Sequence, residues 1–202
     1  NLSFIAENGS SIKGLNRIHK NLPQTILMSR TVDIIYEIFN KYIPYDLKQK
    51  IILISKLDNN EQENIFGLPL HKIKLAMDRK HSIPIQFKGS EVEKNEFIKR
   101  INNAGLTVQT GGRIMNICDK VNKSKAIAKT LELISNEIQN EIITIGVGDN
   151  QNDLDMLKET DYSCLVKNDN FDSSLINIDN LIISSEPSPL GWADVIKTAI
   201  QK

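Results

Sequence analysis

A stretch rich in carboxylates and amides follows directly on an apolar run near the middle of the second half of the chain. The apolar run Glu141–Val147 predicts a buried strand that ends in a glycine turn. Open α/β sheets bind ligands at the carboxyl ends of their strands, and Mg²⁺ prefers carboxylate oxygens. Asp149 is therefore a candidate Mg²⁺ ligand, and Asn152 and Asp153 could orient a neighbour or hold a water. Gly-Asp-Asn is also a common turn and helix cap, but a cap needs fewer carboxylates than this stretch carries.

Lys123 is the second candidate, because it begins a long predicted helix. A lysine there faces the positive end of the helix dipole, so its position suggests that it binds an anion. A solvated surface lysine is the alternative. If Lys123 and Asp149 both lie at the carboxyl edge of the sheet, a cation and a metal ligand together could hold a phosphoryl group.

Two glycines followed by an arginine, Gly111-Gly112-Arg113, form a third candidate site. Gly112 allows the backbone to approach a ligand closely, and Arg113 offers a planar fork that matches carboxylate or phosphate. A hairpin turn followed by a surface arginine explains the same residues.

The polar cluster that contains Arg79 and Ser82, and the single tryptophan, can both be explained by a structural role. Arg79 and Ser82 belong to a polar cluster at a predicted helix end, where cations are favourable electrostatically. Trp192 is the only tryptophan of the sequence. We expect it to pack the last helix rather than to bind a sugar.

The composition excludes several classes of function. Among 202 residues, 25 are Lys or Arg and 25 are Asp or Glu, and this balance argues against a nucleic-acid partner. No apolar stretch is long enough to cross a membrane and no signal peptide is evident, so we expect a cytoplasmic protein. Cys118 and Cys164 are predicted to be buried free thiols. The histidines lack the spacing of zinc ligands, so we do not expect a zinc site.

The elements that position these residues alternate between strand and helix in the last third of the chain. The helix Lys123–Gln139, the strand Glu141–Val147, the helix Gln151–Thr160 and later elements predict an α/β core, a parallel sheet with helices on both faces. Residues 14–115 mix helices with hairpin strands and predict an inserted α+β domain. The predicted division is core 1–13, cap 14–115 and core 116–202. The opening strand-like run suggests that amino-terminal core strands are missing.

The quoted motifs resemble those of the haloacid dehalogenase-like phosphatases. The stretch 148–153 is similar to their fourth motif, and Lys-Ser-Lys-Ala at 123–126 is similar to the third motif of the branch with a large α/β cap. Further collinear stretches resemble the mannosyl-3-phosphoglycerate phosphatases. These stretches are Glu7-Asn8-Gly9, Gly67-Leu68-Pro69, 76–84, Gly111-Gly112-Arg113, Leu165-Val166-Lys167 and Gly191-Trp192.

This resemblance implies a Rossmann-like core with an inserted cap and a Mg²⁺-dependent phosphatase that converts 2-O-mannosyl-3-phosphoglycerate to mannosylglycerate and phosphate. Asp149 would bind Mg²⁺, Asn152 and Asp153 would support the metal site, and Lys123 would contact the phosphoryl group. By the same resemblance, the cap residues Arg113, Gly112, Arg79 and Ser82 would face the mannosyl-glycerate part.

Several residues depart from the family pattern. Ser124 replaces a usual glycine, Ile83 stands where an acidic residue often precedes the proline, and Ile114 and Asn116 replace an aromatic residue and a histidine. These changes leave the phosphate and metal residues in place but weaken the prediction of the substrate.

The family's first motif, Asp-x-Asp-x-Thr, is absent from these 202 residues, as is the Ser or Thr of its second motif. The first motif supplies the nucleophile, so we expect this chain to bind substrate without turnover. Two alternatives stay open. They are another sugar-phosphate phosphatase of the same branch, and a non-catalytic protein that binds sugar phosphates.

Overall fold

A computed structural model describes residues 2–111, 114–169, 171 and 176–202, without the side chain of Asn152. Contacts between Cα atoms divide the chain into two compact units. The first unit holds Asn1–Ser3, Gly14–Gln24 and Lys123–Lys202, and the second holds Phe4–Lys13 and Thr25–Asn122. The predicted division into core and cap at residues 13 and 115 stays a prediction.

The second unit contains two antiparallel sheets. The small sheet has the order β1-β2-β3, and the larger one has the order β4-β5-β7-β6. The strands are β1 (Phe4–Ala6), β2 (Ser11–Lys13), β3 (Thr25–Leu27), β4 (Ile51–Leu53), β5 (Ser82–Phe87), β6 (Thr107–Gly111) and β7 (Ile114–Cys118). The helices are α1 (Val32–Tyr42), α2 (Tyr45–Lys48), α3 (Asn59–Phe66), α4 (Leu70–Met77) and α5 (Glu91–Asn103).

The core of the second unit lies between the larger sheet and the helices α1 and α5. Alternate residues of the strands point to this core, as a period of two requires. The cluster includes Ile35 and Phe39 from α1, Phe97 from α5, and Ile85 and Ile117 from the sheet. The opposite face of β5 presents the other set of alternate side chains, Ser82 among them.

The first unit is built on a parallel sheet of order β10-β9-β8. Its elements are α6 (Lys123–Glu137), β8 (Ile145–Gly148), α7 (Leu154–Lys158), β9 (Tyr162–Lys167), β10 (Ile182–Pro187) and α8 (Leu190–Ile200). Helix α8 packs on β9 and β10, and its Val195 and Ala199 form a buried cluster with Cys164 and Val166. Both cysteines are free and buried, as predicted.

The strand before the candidate site begins later than predicted. Ile143 is 61% exposed, and the backbone N–H of Thr144 donates to the Asp161 carboxylate at 2.8 Å. Strand β8 therefore begins at Ile145 rather than at Glu141, although the Thr144 carbonyl still accepts the backbone N–H of Tyr162 from β9 at 3.0 Å. The predicted helix 151–160 is also shorter, because a 3₁₀ turn at Gln151–Asp153 precedes α7. None of the described helices has the length and apolar composition needed to span a membrane.

Candidate active site

The first unit contains a cavity of about 290 Å³ at the carboxyl end of β8. Lys123, Asp149 and Asp153, three of the residues singled out from the sequence, line it together. Ser188 and Trp192 line it as well, from the segment after β10 and from the first turn of α8. The carboxyl edge of this parallel sheet is thus the place where the polar residues meet, as the strand and helix order predicted.

Lys123 and Asp153 form an ion pair in this cavity. The Lys123 Nζ donates to Asp153 Oδ1 at 2.6 Å. The Asp153 side chain is only 9% exposed, whereas that of Lys123 is 37% exposed. The second carboxylate oxygen of Asp153 accepts the backbone N–H of Asp149 at 3.2 Å. Asp153 thereby fixes both the ammonium group and the backbone at the strand end.

Gly148 is required by the position of Asp153. A Cβ atom at Gly148 would lie 2.4 Å from the Cβ of Asp153 and 2.9 Å from its Cγ. These distances are shorter than any ordinary contact, so a side chain at 148 would displace the carboxylate that holds Lys123. The glycine before Asp149 therefore has a packing role as well as a role in the turn.

Asp149 is exposed, and the described residues provide no hydrogen bond or ion pair to its carboxylate. Its backbone carbonyl accepts from Asn168 Nδ2 at 3.1 Å. Within the described residues, no three His, Cys, Asp or Glu side chains are grouped closely enough to hold a metal by themselves. Mg²⁺ keeps several waters and binds proteins through one or two carboxylates together with substrate phosphate. The Asp149 carboxylate can therefore supply one of the protein ligands of this ion.

The end of β10 and the start of α8 approach each other unusually closely at Gly191. A Cβ atom there would lie 1.8 Å from the carbonyl oxygen of Glu186 and 2.5 Å from the Ser184 hydroxyl. This contact seats the first turn of α8 against the strand and leaves Trp192 at the cavity, 52% exposed. The buried cluster beneath α8 contains Val195 and Ala199 from this helix, but not Trp192. The helix therefore packs on the sheet through other side chains than the indole that we expected to pack it.

Arg79 and Ser82 lie together in the second unit, where they line a cavity of about 250 Å³ with Tyr36 and Lys56. Arg79 Nε donates to the carbonyl of Ala76 at 2.8 Å. The Ser82 hydroxyl is buried and donates to the Glu7 carboxylate at 2.8 Å. The two residues are therefore neighbours, as their spacing suggested.

Glu7 is a structural residue that the sequence indicated only as part of a turn. Its carboxylate accepts the backbone N–H groups of Lys80 and His81 as well as the Ser82 hydroxyl. Glu7 and Asn8 both have positive φ angles, 46° and 56°. The carboxylate fixes the segment that carries Ser82 into β5.

A second buried carboxylate, Asp119, follows β7. It accepts from the Arg30 guanidinium and from the Arg30 backbone N–H, the latter at 2.6 Å. Burial opposes its charge, but the Arg30 hydrogen bonds and charge outweigh burial and hold the pKa of Asp119 below its ordinary value. Burial raises the pKa of the adjacent Cys118 thiol to about 12, so this thiol stays protonated.

Three predicted site residues cannot be placed by their side chains. Gly112 and Arg113 lie outside the described residues. Asn152 lies in the 3₁₀ turn beside Asp153, and only its backbone is described.

Comparison with known protein families identifies the family of this chain. Residues 1–188 match the haloacid dehalogenase-like hydrolases. The chain belongs to this family. The predicted α/β fold class with a Rossmann-like core is confirmed by this match and by similar solved structures. One of them, a haloacid dehalogenase-like hydrolase from Bacteroides thetaiotaomicron, aligns with 96% of this chain and 73% of its own, with a TM-score of 0.56 at 16% identity. A crystal structure of a Streptococcus mutans protein covers 100% of this chain and 77% of its own, with a TM-score of 0.59 at 20% identity.

Two relatives of this chain are named glucosyl-3-phosphoglycerate/mannosyl-3-phosphoglycerate phosphatase. The one from Methanococcoides burtonii is 30% identical over 155 residues, which cover 76% of this chain and 56% of the relative. The one from Persephonella marina is 24% identical over 150 residues, which cover 74% of this chain and 55% of the relative. The chain thus spans just over half the length of the curated relatives it matches.

Proposed function

We propose that the protein is a Mg²⁺-dependent phosphatase of a sugar phosphate and that 2-O-mannosyl-3-phosphoglycerate is its substrate. The observation that carries the proposal is the convergence of Lys123, Asp149 and Asp153 on one cavity at the carboxyl end of β8. The names of the two relatives, which both include mannosyl-3-phosphoglycerate phosphatase, support the choice of substrate.

Each charged residue of the cavity has a role in this proposal. Lys123 binds the phosphoryl oxygens, and Asp153 holds its ammonium in place through the 2.6 Å hydrogen bond. Asp149 would bind Mg²⁺, and Asn152, in the 3₁₀ turn Gln151–Asp153 that follows it, would support the metal site. Mg²⁺, when bound, offsets the negative charge of the phosphoryl group. Arg79, Ser82, Gly112 and Arg113 are assigned to the sugar–glycerate part on the family resemblance.

The decisive measurement is phosphate release by the full product of the gene, because the family's nucleophile has no counterpart in these 202 residues. The panel contains 2-O-mannosyl-3-phosphoglycerate, its glucosyl counterpart, sucrose phosphate and a simple hexose phosphate. Faster turnover of a hexose or sucrose phosphate would favour another phosphatase of the same branch. No release from any of them at saturating Mg²⁺ would favour a sugar-phosphate-binding protein.

The metal assignment is tested by Asp149→Asn. We expect this change to lower turnover by orders of magnitude while the circular dichroism spectrum is unchanged, since no described residue makes a hydrogen bond or ion pair with this exposed carboxylate. Asp155→Asn is the matched control, because Asp155 is an exposed carboxylate of α7 that does not line the cavity. Near-normal turnover of the Asp149→Asn protein at saturating Mg²⁺ would contradict the assignment.

A further inference from the structure

Trp192 is an exposed aromatic residue beside a charged site. It lines the same cavity as Lys123, Asp149 and Asp153, and 52% of its surface is accessible. Large aromatic side chains are buried mainly because burial of their apolar surface is favourable. A half-exposed indole at the wall of a polar cavity therefore retains apolar surface that a ligand can cover.

The position of this indole is set by how the backbone of α8 packs, and not by burial of the indole itself. The absence of a side chain at Gly191 lets the first turn of α8 contact the Glu186 carbonyl. Val195 and Ala199, further along the same helix, supply its buried contacts. Trp192 is thus held at the cavity by a packed helix without itself belonging to the described core cluster.

The rest of the cavity divides into a charged part and an apolar part. Lys123, Asp149 and Asp153 provide the charges, and Val147 and Val166 add apolar surface. Ser188 is an additional polar residue of the wall. A ligand that suits both parts has an anionic group joined to a carbon skeleton with hydroxyls and an exposed C–H face. A cavity of about 290 Å³ is at the small end for ligand sites, so it suits a phosphoryl group and the carbons next to it.

We propose that Trp192 is a specificity-determining residue, whose indole packs against the carbon skeleton next to the phosphoryl group of a carbohydrate-derived phosphate ester. This inference rests on the proposed function, since it takes Lys123 as the phosphoryl contact. Trp192 then distinguishes the ester from inorganic phosphate, because inorganic phosphate has no carbon skeleton to cover the indole.

The test uses the 202-residue chain and two probes, 2-O-mannosyl-3-phosphoglycerate and inorganic phosphate, each with Mg²⁺. Because Trp192 is the only tryptophan, its fluorescence reports on this position alone. We expect the ester to shift and saturate the emission, and inorganic phosphate to change it less. Calorimetry then measures both affinities for the wild-type protein and for the variants.

Trp192→Ala is expected to weaken binding of the ester about tenfold, while binding of inorganic phosphate changes less than about twofold. Trp192→Phe is expected to keep most of the ester affinity, because an aromatic face remains. Leu190→Ala is the control, since Leu190 is 71% exposed in the same helical turn and does not line the cavity.

Three outcomes would overturn the inference, and one of them also removes the proposed function. Unchanged ester affinity in Trp192→Ala refutes the role of the indole alone. An equal loss for ester and phosphate would show that the substitution acts through the shape of the site. Failure of the wild-type chain to bind either probe contradicts the phosphoryl site itself.

Discussion

Both buried carboxylates of the described polar sites, Asp153 and Asp119, are paired with a cation that is itself partly exposed. Burial of an unpaired carboxylate is costly, so the pairing explains how these charges are tolerated. The consequences differ, however. Lys123 lines a cavity. The Arg30 guanidinium instead donates a further hydrogen bond to the Gly105 carbonyl and so stabilises the fold.

The Arg30–Asp119 pair predicts a pH-dependent contribution to stability. The folded pKa of Asp119 is lowered, so its contribution is present above the unfolded pKa of about 4 and is lost as the pH falls through the folded pKa. We expect Asp119→Asn to lower the free energy of unfolding at pH 7 by about 1–3 kcal/mol. Urea denaturation at a series of pH values should show this difference shrinking below about pH 4.

Glu96→Gln is the matched control for this prediction. Glu96 accepts from Arg100 on the surface of α5, where such pairs contribute only about 0.3–0.5 kcal/mol. A difference between Asp119→Asn and the wild-type protein that stays constant from pH 7 to pH 3 would contradict the role of the carboxylate charge.

At the level of elements, the ends of helices and strands decide where the site residues lie. Helices α3 and α5 begin with capping boxes, Asp58 with Glu61 and Ser90 with Glu93, which are recognisable from the sequence. The start of α8 is different. It depends on contact between Gly191 and the carbonyl of Glu186, a residue of another element.

Gly191→Ala tests this contact between elements. The added methyl group would overlap the Glu186 carbonyl, so α8 must move away from β10. We expect the free energy of unfolding to fall by about 3 kcal/mol, at the upper end for overpacking substitutions. Chemical denaturation measures the loss.

The neighbouring Leu190→Ala provides the comparison for Gly191→Ala, with an expected change within about 0.5 kcal/mol because Leu190 is exposed. Equal stability of the Gly191→Ala and wild-type proteins would show that the close approach is not needed.

At the scale of the whole molecule, each compact unit has a buried cluster of its own. Phe97 is fully buried in the second unit and its ring stacks on Phe87 with centroids 5.4 Å apart. Val195 is fully buried in the first unit. Proteins with separate cores often unfold in more than one step.

Phe97→Ala is therefore expected to destabilise the second unit selectively, by about 3–5 kcal/mol. Far-UV circular dichroism should show an earlier transition, whereas the fluorescence of Trp192, which reports on the first unit, should keep its midpoint. Val195→Ala should shift the fluorescence midpoint instead. Coincident shifts of both signals in both variants would show that the units unfold as one.

Local pattern alone determined much of this protein. The helix predicted at Lys123–Gln139 from its apolar spacing is α6, Lys123–Glu137, so its end was placed to within about two residues. The acidic strand end at Asp149 and the lysine that begins α6 were recognisable by type and position, since a motif of this kind consists of neighbours in sequence.

Only the tertiary structure decided which of these residues meet. The Lys123–Asp153 hydrogen bond joins residues 30 positions apart, and the cavity adds Trp192 from the last helix. The run Glu141–Val147 predicted a strand, but β8 begins only at Ile145, and the Asp161 side chain accepts the backbone N–H of Thr144 just before it. Contacts between distant residues depend on packing and on exchanged hydrogen bonds, and neither is encoded in a local window of sequence.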